Sequence, residues 1–334
     1  MRIGQNPAKM DLPAYQPKRL GIALLSCIPF QAGYFAQSME ILKYEIASIH
    51  NSTNEFDLMV FDNGSCAEVQ ENLRLLQAKG LIHFLLLSQF NLGKTSALNW
   101  IFQGMPNELI CYTDSDVYFR PGWYEHSLEI LEGFPKVGFV AAQPCFFDIF
   151  EGGGKAYKAL QNDPSFEIRE RDMDQDAFNE FVHGVNAKTS SSQQFLLKRW
   201  QVAHRRSDGL EAIVGATHMQ FLARREVFGR ILPLPARFAL SREDDYFINS
   251  GIDEAGFLQL STLLPFVVHM GNGLDESIRF EADQVLASTG SRPVSGKKES
   301  GLIEKMLVWS GRNAYMRRLF TRIYDLLFRV LRDR

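Results

Sequence analysis

Cysteine is scarce in this sequence, and long apolar runs are missing from it. Only four cysteines occur among 334 residues, and no two of them form a Cys-x-x-Cys pair. This spacing argues against a zinc ribbon or a disulfide framework and is typical of a reducing compartment. No window approaches the roughly 20 apolar residues of a membrane-spanning helix, and the N-terminus lacks the apolar centre of a signal peptide. We therefore expect a soluble, cytoplasmic protein.

Charge is unevenly distributed along the chain. The formal net charge is −3, but residues 292–334 contain eleven Lys or Arg and four Asp or Glu, so this stretch carries +7 and the remainder −10. From Tyr315 onward the apolar residues recur at helical spacing with arginines on another side, which predicts a basic amphipathic helix. Such a helix suits contact with a membrane surface, docking on the acidic body, or self-association through residues 301–334. We expect no nucleic-acid partner.

Strands and helices alternate through the first half of the chain. Apolar runs with β-branched or aromatic residues predict strands, and apolar residues at helical spacing predict helices between them. The predicted strands are 19–26, 56–61, 82–87 and 109–113, and the predicted helices are 37–49, 68–78 and 95–103. This alternation is typical of an α/β fold with a doubly wound, mostly parallel sheet flanked by helices.

Polar clusters follow the predicted strands. Asp62-Asn63 ends the second strand, Asn91-Leu92-Gly93-Lys94 follows the third, and Asp114-Ser115-Asp116 ends the fourth. The carboxyl ends of parallel strands share one edge of a sheet, where open α/β sheets bind their ligands. We therefore expect these clusters to converge in space. The turn at Gly93-Lys94 also presents backbone N–H groups at a helix N-terminus, which is suited to a phosphate.

The two acids of the Asp114-Ser115-Asp116 stretch are the strongest single indication of chemistry. Carboxylate oxygens are hard ligands for Mg²⁺ or Mn²⁺, and such ions usually bridge to substrate phosphates. The pattern therefore predicts a site for a metal ion and a diphosphate. The alternative is an ordinary surface turn, for which Asp-Ser-Asp is also a common composition.

Two later features add titratable groups. Glu243-Asp244-Asp245 precedes a predicted helix from about Tyr246 to Ala255, where acids are favoured by the helix dipole. A carboxylate here is also a candidate general base, which requires partial burial. His269 ends a predicted late strand, 263–268, where it is either a structural residue or a metal or phosphate ligand. Residues 148–212 are polar and break the alternation, so we expect an irregular insertion there.

Taken together, these motifs resemble a known family. Their order is that of GT-A fold glycosyltransferases, and the chain looks most like family 2 over residues 19–275. The motifs are Asp62-Asn63-Gly64-Ser65, Asn91-Leu92-Gly93-Lys94, Asp114-Ser115-Asp116, Gly215-Ala216, Glu243-Asp244 and His269. The resemblance implies transfer of a sugar from a nucleotide-diphospho-sugar to a carbohydrate or lipid-linked acceptor. By analogy, it suggests the synthesis of surface polysaccharide or glycolipid.

The resemblance also implies roles on the donor side. Asp62 or Asn63 would contact the nucleobase, and Asn91 belongs to the same donor-binding turn. Lys94 would bind on the ribose or diphosphate side. Asp114 would hold the ribose or the sugar, directly or through the metal ion.

A second set of implied roles concerns the metal ion and the acceptor. Asp116, with Asp114 and His269, would hold Mn²⁺ or Mg²⁺ against the diphosphate. Asp244 would deprotonate the acceptor hydroxyl and give inversion, with Asp245 as its alternative and Glu243 beside them. Gly215-Ala216 would shape the acceptor side.

The implied organisation has two parts. Residues 1–275 would form the glycosyltransferase domain, in which 19–147 bind the nucleotide sugar, 148–212 vary and 213–275 carry the acceptor and catalytic half. Residues 276–334 would form the basic helical extension, which would allow peripheral contact with the inner face of a membrane. Two other functions remain open: a sugar-phosphate nucleotidyltransferase, and a non-catalytic module that binds nucleotide sugars.

Overall fold

A computed structural model provides the fold. The structure describes residues 15–146, 154–184, 199–235, 243–274, 276 and 278–280, and for residues 243–247 it describes the backbone alone. One compact unit spans residues 17–291, and the second combines 1–16 with 292–334. Of the second unit only Tyr15 and Gln16 are described, so the predicted basic helix from Tyr315 lies outside the described residues. In the described part, no helix is long and apolar enough to cross a membrane.

The described residues form twelve strands and eight α-helices. The strands are β1 (Leu20–Ser26), β2 (Phe56–Asn63), β3 (Phe84–Ser88), β4 (Leu109–Asp114), β5 (Val117–Phe119), β6 (Val137–Ala141), β7 (Phe166–Arg171), β8 (Trp200–Arg205), β9 (Glu211–Val214), β10 (Gln220–Arg224), β11 (Leu258–Ser261) and β12 (Val267–His269). The helices are α1 (Ser38–Ser52), α2 (Ala67–Ala78), α3 (Lys94–Gly104), α4 (Trp123–Gly133), α5 (Lys155–Gln161), α6 (Gln175–Gly184), α7 (Arg225–Ile231) and α8 (Glu243–Glu254).

Ten of the strands form one large sheet. Their order is β3-β2-β1-β4-β10-β6-β11-β9-β8-β7, and β5 pairs with β12 in a separate two-stranded sheet. The strands β1 to β4 are mutually parallel, β10 runs antiparallel between β4 and β6, and β11 is parallel to β6. The remaining pairs, through β9, β8 and β7, are antiparallel. The parallel pairs bring the ends of β1, β2, β3 and β4 to one edge.

Helices cover both faces of this sheet. One apolar layer, on the face covered by α1, α2 and α4, includes Leu42, Val69 and Trp123. The opposite layer, under α3, α7 and α8, includes Phe102 and Ile252. A strand buried on both faces reads as a continuous apolar run, and β1 is buried at every position. This three-layer arrangement confirms the α/β prediction.

The predicted elements of the first half correspond to β1, α1, β2, α2, β3, α3 and β4, with ends shifted by a few residues. The second half differs more. The segment 148–212, expected to be irregular, contains α5, β7, α6, β8 and the start of β9 in its described parts. Strand β7 is at the edge of the sheet and carries charged residues, which protect the edge from pairing with other chains. Because of these residues the segment lacks the apolar run from which a strand is predicted.

The late strand is also displaced from its predicted position. The run 263–268 was expected to be one strand, but strands form before it, at β11, and at its end, at β12. Pro265 interrupts the run because proline has no N–H for a ladder. Helix α8 begins at Glu243, three residues before the predicted start at Tyr246.

Candidate active site

Asp62 organises the loop that follows β2. Its carboxylate accepts hydrogen bonds from Ser26 Oγ at 3.1 Å, from the Ser65 backbone N–H at 3.1 Å and from Gln70 Nε2 at 3.0 Å. The residue is completely buried. These bonds join the ends of β1 and β2 to the start of α2. Asp62 therefore fixes the loop at the carboxyl end of β2, and contact with a nucleobase stays a prediction.

The next residue links two loops. Asn63 Nδ2 donates to Asn91 Oδ1 at 3.1 Å, and Asn63 Oδ1 accepts from the Leu92 backbone N–H at 2.8 Å. Gly64 has φ +85°, and a Cβ there would lie 2.7 Å from the Asn91 backbone nitrogen. Only glycine fits this close crossing of two loops. Two residues of the predicted donor site, Asn63 and Asn91, are thus brought together.

Lys94 and Asp114 form the centre of the edge. Lys94 is the first residue of α3, and its Nζ lies 3.0 Å from the carboxylate of Asp114 at the end of β4. The Tyr112 hydroxyl donates to Asp114 Oδ1 at 2.5 Å, and Lys94 Nζ lies 5.8 Å from the centre of the Tyr112 ring. The Lys94 and Asp114 side chains are 29% and 27% exposed, so both are accessible to a ligand.

Asp116 and His269 meet beside this pair. The two-stranded sheet pairs Val117 with His269, and the Met270 N–H donates to the Asp116 carbonyl at 2.7 Å. This register brings His269 Nε2 to 3.4 Å from Asp116 Oδ2, with the side chains 20% and 29% exposed. The other carboxylate oxygen, Asp116 Oδ1, has no hydrogen-bond partner among the described residues. Two potential ligands from distant parts of the chain therefore face each other.

The charges of this edge act on one another. Burial raises the pKa of the Asp116 carboxyl, His269 opposes that shift, Asp114 raises the pKa further, and Lys94 lowers it. A carboxylate under such competing influences is typical of a functional site.

Behind these acids lies Glu45, on α1. It is completely buried, and its Oε1 accepts a hydrogen bond from Thr113 Oγ1 at 2.8 Å. Burial raises the pKa of the Glu45 carboxyl well above its usual range; the hydrogen bond from Thr113 opposes this, while Asp116 adds to it. Burial therefore favours the neutral form of Glu45, whose hydrogen bond from Thr113 joins α1 to the end of β4.

The described side chains of this edge supply only some of the ligands that a divalent metal ion needs. In the part of the chain that the structure describes, no cluster of three or more His, Cys, Asp or Glu side chains is arranged to hold a metal ion. Asp114 is directed to Lys94 and Tyr112, which leaves Asp116 and His269 as a pair. One or two protein ligands are nevertheless what Mg²⁺-type sites use when substrate phosphates supply the rest.

A comparison with protein families identifies the family of this chain. A protein-family model described as "Glycosyl transferase family 2" matches residues 39–230, more than half of the chain. The chain belongs to glycosyl transferase family 2. This membership confirms the family that the sequence motifs suggested. No curated protein matches the sequence.

Two similar solved structures share little sequence with this glycosyltransferase. One is GalNAc-T7 with UDP, GalNAc and Mn²⁺, at 12% identity and a TM-score of 0.44, over 76% of this chain and 43% of that chain. The other is the mannosyltransferase PcManGT from Pyrobaculum calidifontis in complex with GDP-Man and Mn²⁺. It has 14% identity and a TM-score of 0.43, over 92% of this chain and 84% of that chain. The enzyme thus spans less than half of the GalNAc-T7 chain.

The remaining predicted site residues lie between β9 and β10 and in the first turn of α8. Gly215, between β9 and β10, has φ +112°, and a Cβ there would lie 3.2 Å from Cys145 Sγ. Ala216 is completely buried. The backbone of Glu243-Asp244-Asp245 forms the first turn of α8, while their side chains lie outside the described residues.

Sequence reasoning missed two residues of this site. Glu45 lies three residues after Leu42 and four before Ile49, so an acid on the apolar face of α1 was the available signal. Tyr112 and Asp114 are two positions apart along β4, which places both side chains on one face of the strand. Nothing in the local pattern indicated that its hydroxyl would reach the carboxylate.

Proposed function

We propose that this enzyme is a metal-dependent, inverting glycosyltransferase that moves a sugar from a nucleotide-diphospho-sugar to an acceptor hydroxyl. The observation that carries the proposal is the Asp116–His269 pair, 3.4 Å apart beside the Lys94–Asp114 pair, at the carboxyl edge of a parallel sheet. Open α/β sheets bind nucleotides at such an edge. Family membership supplies the reaction class, and this geometry supports the cofactor and the donor.

Asp116 and His269 would hold Mn²⁺ or Mg²⁺. The unpartnered Asp116 Oδ1 and the imidazole are donors that suit Mn²⁺, whereas Mg²⁺ would rest mainly on the carboxylate. A bound divalent ion would supply charge neutralisation for the departing nucleoside diphosphate. Asp114 would contact the ribose or the sugar.

Lys94 adds a second positive charge to the same edge. Its ammonium group stands at the N-terminus of α3, 3.0 Å from Asp114, so it is held in place before a ligand arrives. A preorganised cation of this kind stabilises negative charge as it develops on a leaving group. Asp62, Asn63 and Asn91 would form the nucleobase side of the same cleft.

The acceptor side would provide the base. We assign Asp244, in the first turn of α8, as the group that deprotonates the acceptor hydroxyl, with Asp245 as the alternative and Glu243 beside them. A base facing the anomeric carbon from the side opposite the leaving group gives a single displacement with inversion. Gly215-Ala216 would shape the acceptor cleft.

The acceptor and the cellular setting complete the proposal. The acceptor would be a carbohydrate or a lipid-linked sugar of surface polysaccharide or glycolipid synthesis. Four free cysteines suit the cytoplasm. Residues 301–334, with their basic amphipathic pattern, would contact the inner face of the membrane or mediate self-association.

Thermal-shift measurements test the donor and the metal ion together. UDP-, GDP- and dTDP-sugars are screened with and without Mn²⁺, and we expect stabilisation by one donor that depends on Mn²⁺. Asp116→Asn and His269→Ala should abolish that dependence. His204→Ala is the matched control, because His204 also lies 3.3 Å from an acid, Glu211, but near the far edge of the sheet. No Mn²⁺-dependent shift with any donor would count against the proposal.

Transfer assays test the base. Asp244→Asn should retain donor binding and lose most turnover, with Asp245→Asn as its neighbouring comparison. Wild-type turnover by Asp244→Asn would overturn the assignment of the base.

A further inference from the structure

Helix α6 lies in the segment expected to be an irregular insertion, yet its last residue contacts the proposed metal ligand. The Gly184 carbonyl oxygen lies 3.3 Å from His269 Nδ1. A carbonyl oxygen only accepts hydrogen bonds, so Nδ1 carries the proton and donates it. With a proton held on Nδ1 by Gly184, Nε2, which faces Asp116 Oδ2 at 3.4 Å, is the nitrogen that would bind a metal ion. Histidine ligands in proteins are commonly oriented through the second ring nitrogen in this way.

The contact is close and leaves little room for adjustment. A Cβ on Gly184 would lie 2.0 Å from the His269 carbonyl oxygen, and a Cβ on Gly271 would lie 2.5 Å from the Gly184 carbonyl oxygen. Two glycines therefore allow the end of α6 to approach the backbone after β12. The last carbonyls of a helix have no partner within the helix, so the imidazole also satisfies an otherwise open acceptor.

An ion pair holds α6 to the same small sheet. Arg120 directly follows β5, the partner of β12, and it donates to Glu180 of α6 through Nη2 at 2.7 Å and Nη1 at 3.1 Å. Arg120 Nη1 also donates to the Pro265 carbonyl at 3.3 Å. The paired planar groups fix orientation as well as distance. Helix α6 is thus joined to the two-stranded sheet at two places, by Glu180 to Arg120 after β5 and by Gly184 to His269 in β12.

We propose that α6 is a positioning element for the metal site, in which the Gly184 carbonyl sets the tautomer and orientation of His269 and the Arg120–Glu180 pair holds the helix in register. The inference rests on the proposed function for the role of His269 as a ligand. Glu180 and Gly184 act through the histidine and do not touch the substrate. The segment 148–212, which contains α6, is thereby coupled to the proposed metal site.

The first test reads the tautomer in the metal-free protein by ¹⁵N NMR of the His269 ring, assigned with His269→Ala. The wild-type protein should show a protonated Nδ1, and Gly184→Ala should lose part of the Nδ1–H population because the new methyl group displaces the carbonyl. Gly104→Ala is the matched control, since Gly104 also ends a helix but a Cβ there would meet nothing within 4 Å. Retention of the Nδ1–H form by Gly184→Ala would overturn the proposal.

The second test measures Mn²⁺ alone, through paramagnetic broadening of the same ring signals. Gly184→Ala should raise the Mn²⁺ concentration for half-broadening by about tenfold, at the lower end of the effects of groups that orient a ligand. Glu180→Gln removes the charge pair, while Phe181 beside it stays packed against Phe146, and we expect a smaller rise in the same direction. The control is Glu211→Gln, which breaks a similar pair with Arg171 far from His269.

The outcomes separate this inference from the proposed function. Unchanged half-broadening in both Gly184→Ala and Glu180→Gln would overturn it. The expected tautomer and Mn²⁺ changes in a protein that transfers no sugar would support it and would refute only the proposed activity.

Discussion

Glu45 allows a quantitative test of the chemistry beneath the site. It is completely buried, and burial raises its pKa well above the usual range. At a pH between the unfolded and the folded pKa, the folded protein therefore holds it neutral while the unfolded chain ionises it. A group whose pKa is raised on folding stabilises the fold at low pH and loses that contribution as the pH rises. The loss begins near the unfolded pKa, about 4.3 for glutamate, and ends at the folded pKa.

The magnitude follows from proton linkage. Between those two pKa values the wild-type protein should lose about 1.4 kcal/mol of unfolding free energy per pH unit because of this group. Glu45→Gln keeps the side-chain size and an oxygen acceptor for Thr113 but does not titrate, so this component of the slope should vanish. Glu45→Ala also removes the titrating group but leaves a cavity, which should lower stability at every pH, while the Thr113 hydroxyl can still donate to the Asp114 carbonyl at 3.0 Å.

Urea unfolding from pH 5 to pH 8 measures these differences. The stability of Glu45→Gln relative to wild type should increase with pH until the folded pKa is passed. Glu40→Gln, an exposed substitution on the same helix, serves as the control and should follow the wild-type profile. Parallel profiles for wild type and Glu45→Gln over the whole range would refute the view that Glu45 is a buried neutral acid.

Three further predictions concern other parts of the fold. Burial lowers the pKa of His83, whose Nδ1 accepts a hydrogen bond from the Leu58 N–H at 2.8 Å. The unfolding free energy should therefore fall as the pH drops from about 6.5 through the lowered pKa. Chemical unfolding of His83→Gln should lack this loss. Burial raises the pKa of Cys111 to about 12, so its thiol should resist iodoacetamide at pH 8 until the protein unfolds, as peptide mass spectrometry would show. Gly64→Ala should lower the unfolding free energy by about 2 kcal/mol or more, because φ is +85° and backbone atoms occupy the position of the new Cβ. Gly229→Ala is the control and should not, because its Cβ would meet nothing within 4 Å.

The first half of the fold could be predicted because its signals are local. Strands β1, β2 and β4 contain short apolar runs and are buried at nearly every position, and α1 repeats apolar residues at helical spacing. Parallel topology then gathers the strand ends without further information. The convergence of Asn63 with Asn91, and of Lys94 with Asp114, follows from that topology alone.

The second half resisted prediction because its elements depend on their neighbours. Strand β11 has four residues, and its pairing with β6 and β9 stabilises it. Strand β7 is charged, since it forms the edge of the sheet. Short or edge strands follow tertiary context more than intrinsic preference.

The sequence by itself determined the α/β class, the order of the motifs and the chemical character of the carboxyl edge of the sheet. Apolar periodicity and the order of elements along the chain can be read from neighbouring residues. Tertiary structure alone decided that Asp116 meets His269, since that depends on the pairing of β5 with β12, two strands that lie far apart in the chain. It also decided that Gly184 orients the imidazole and that Glu45 supports the acids from below. Hydrogen bonds between distant residues leave no periodic trace, because each is a single contact set by packing.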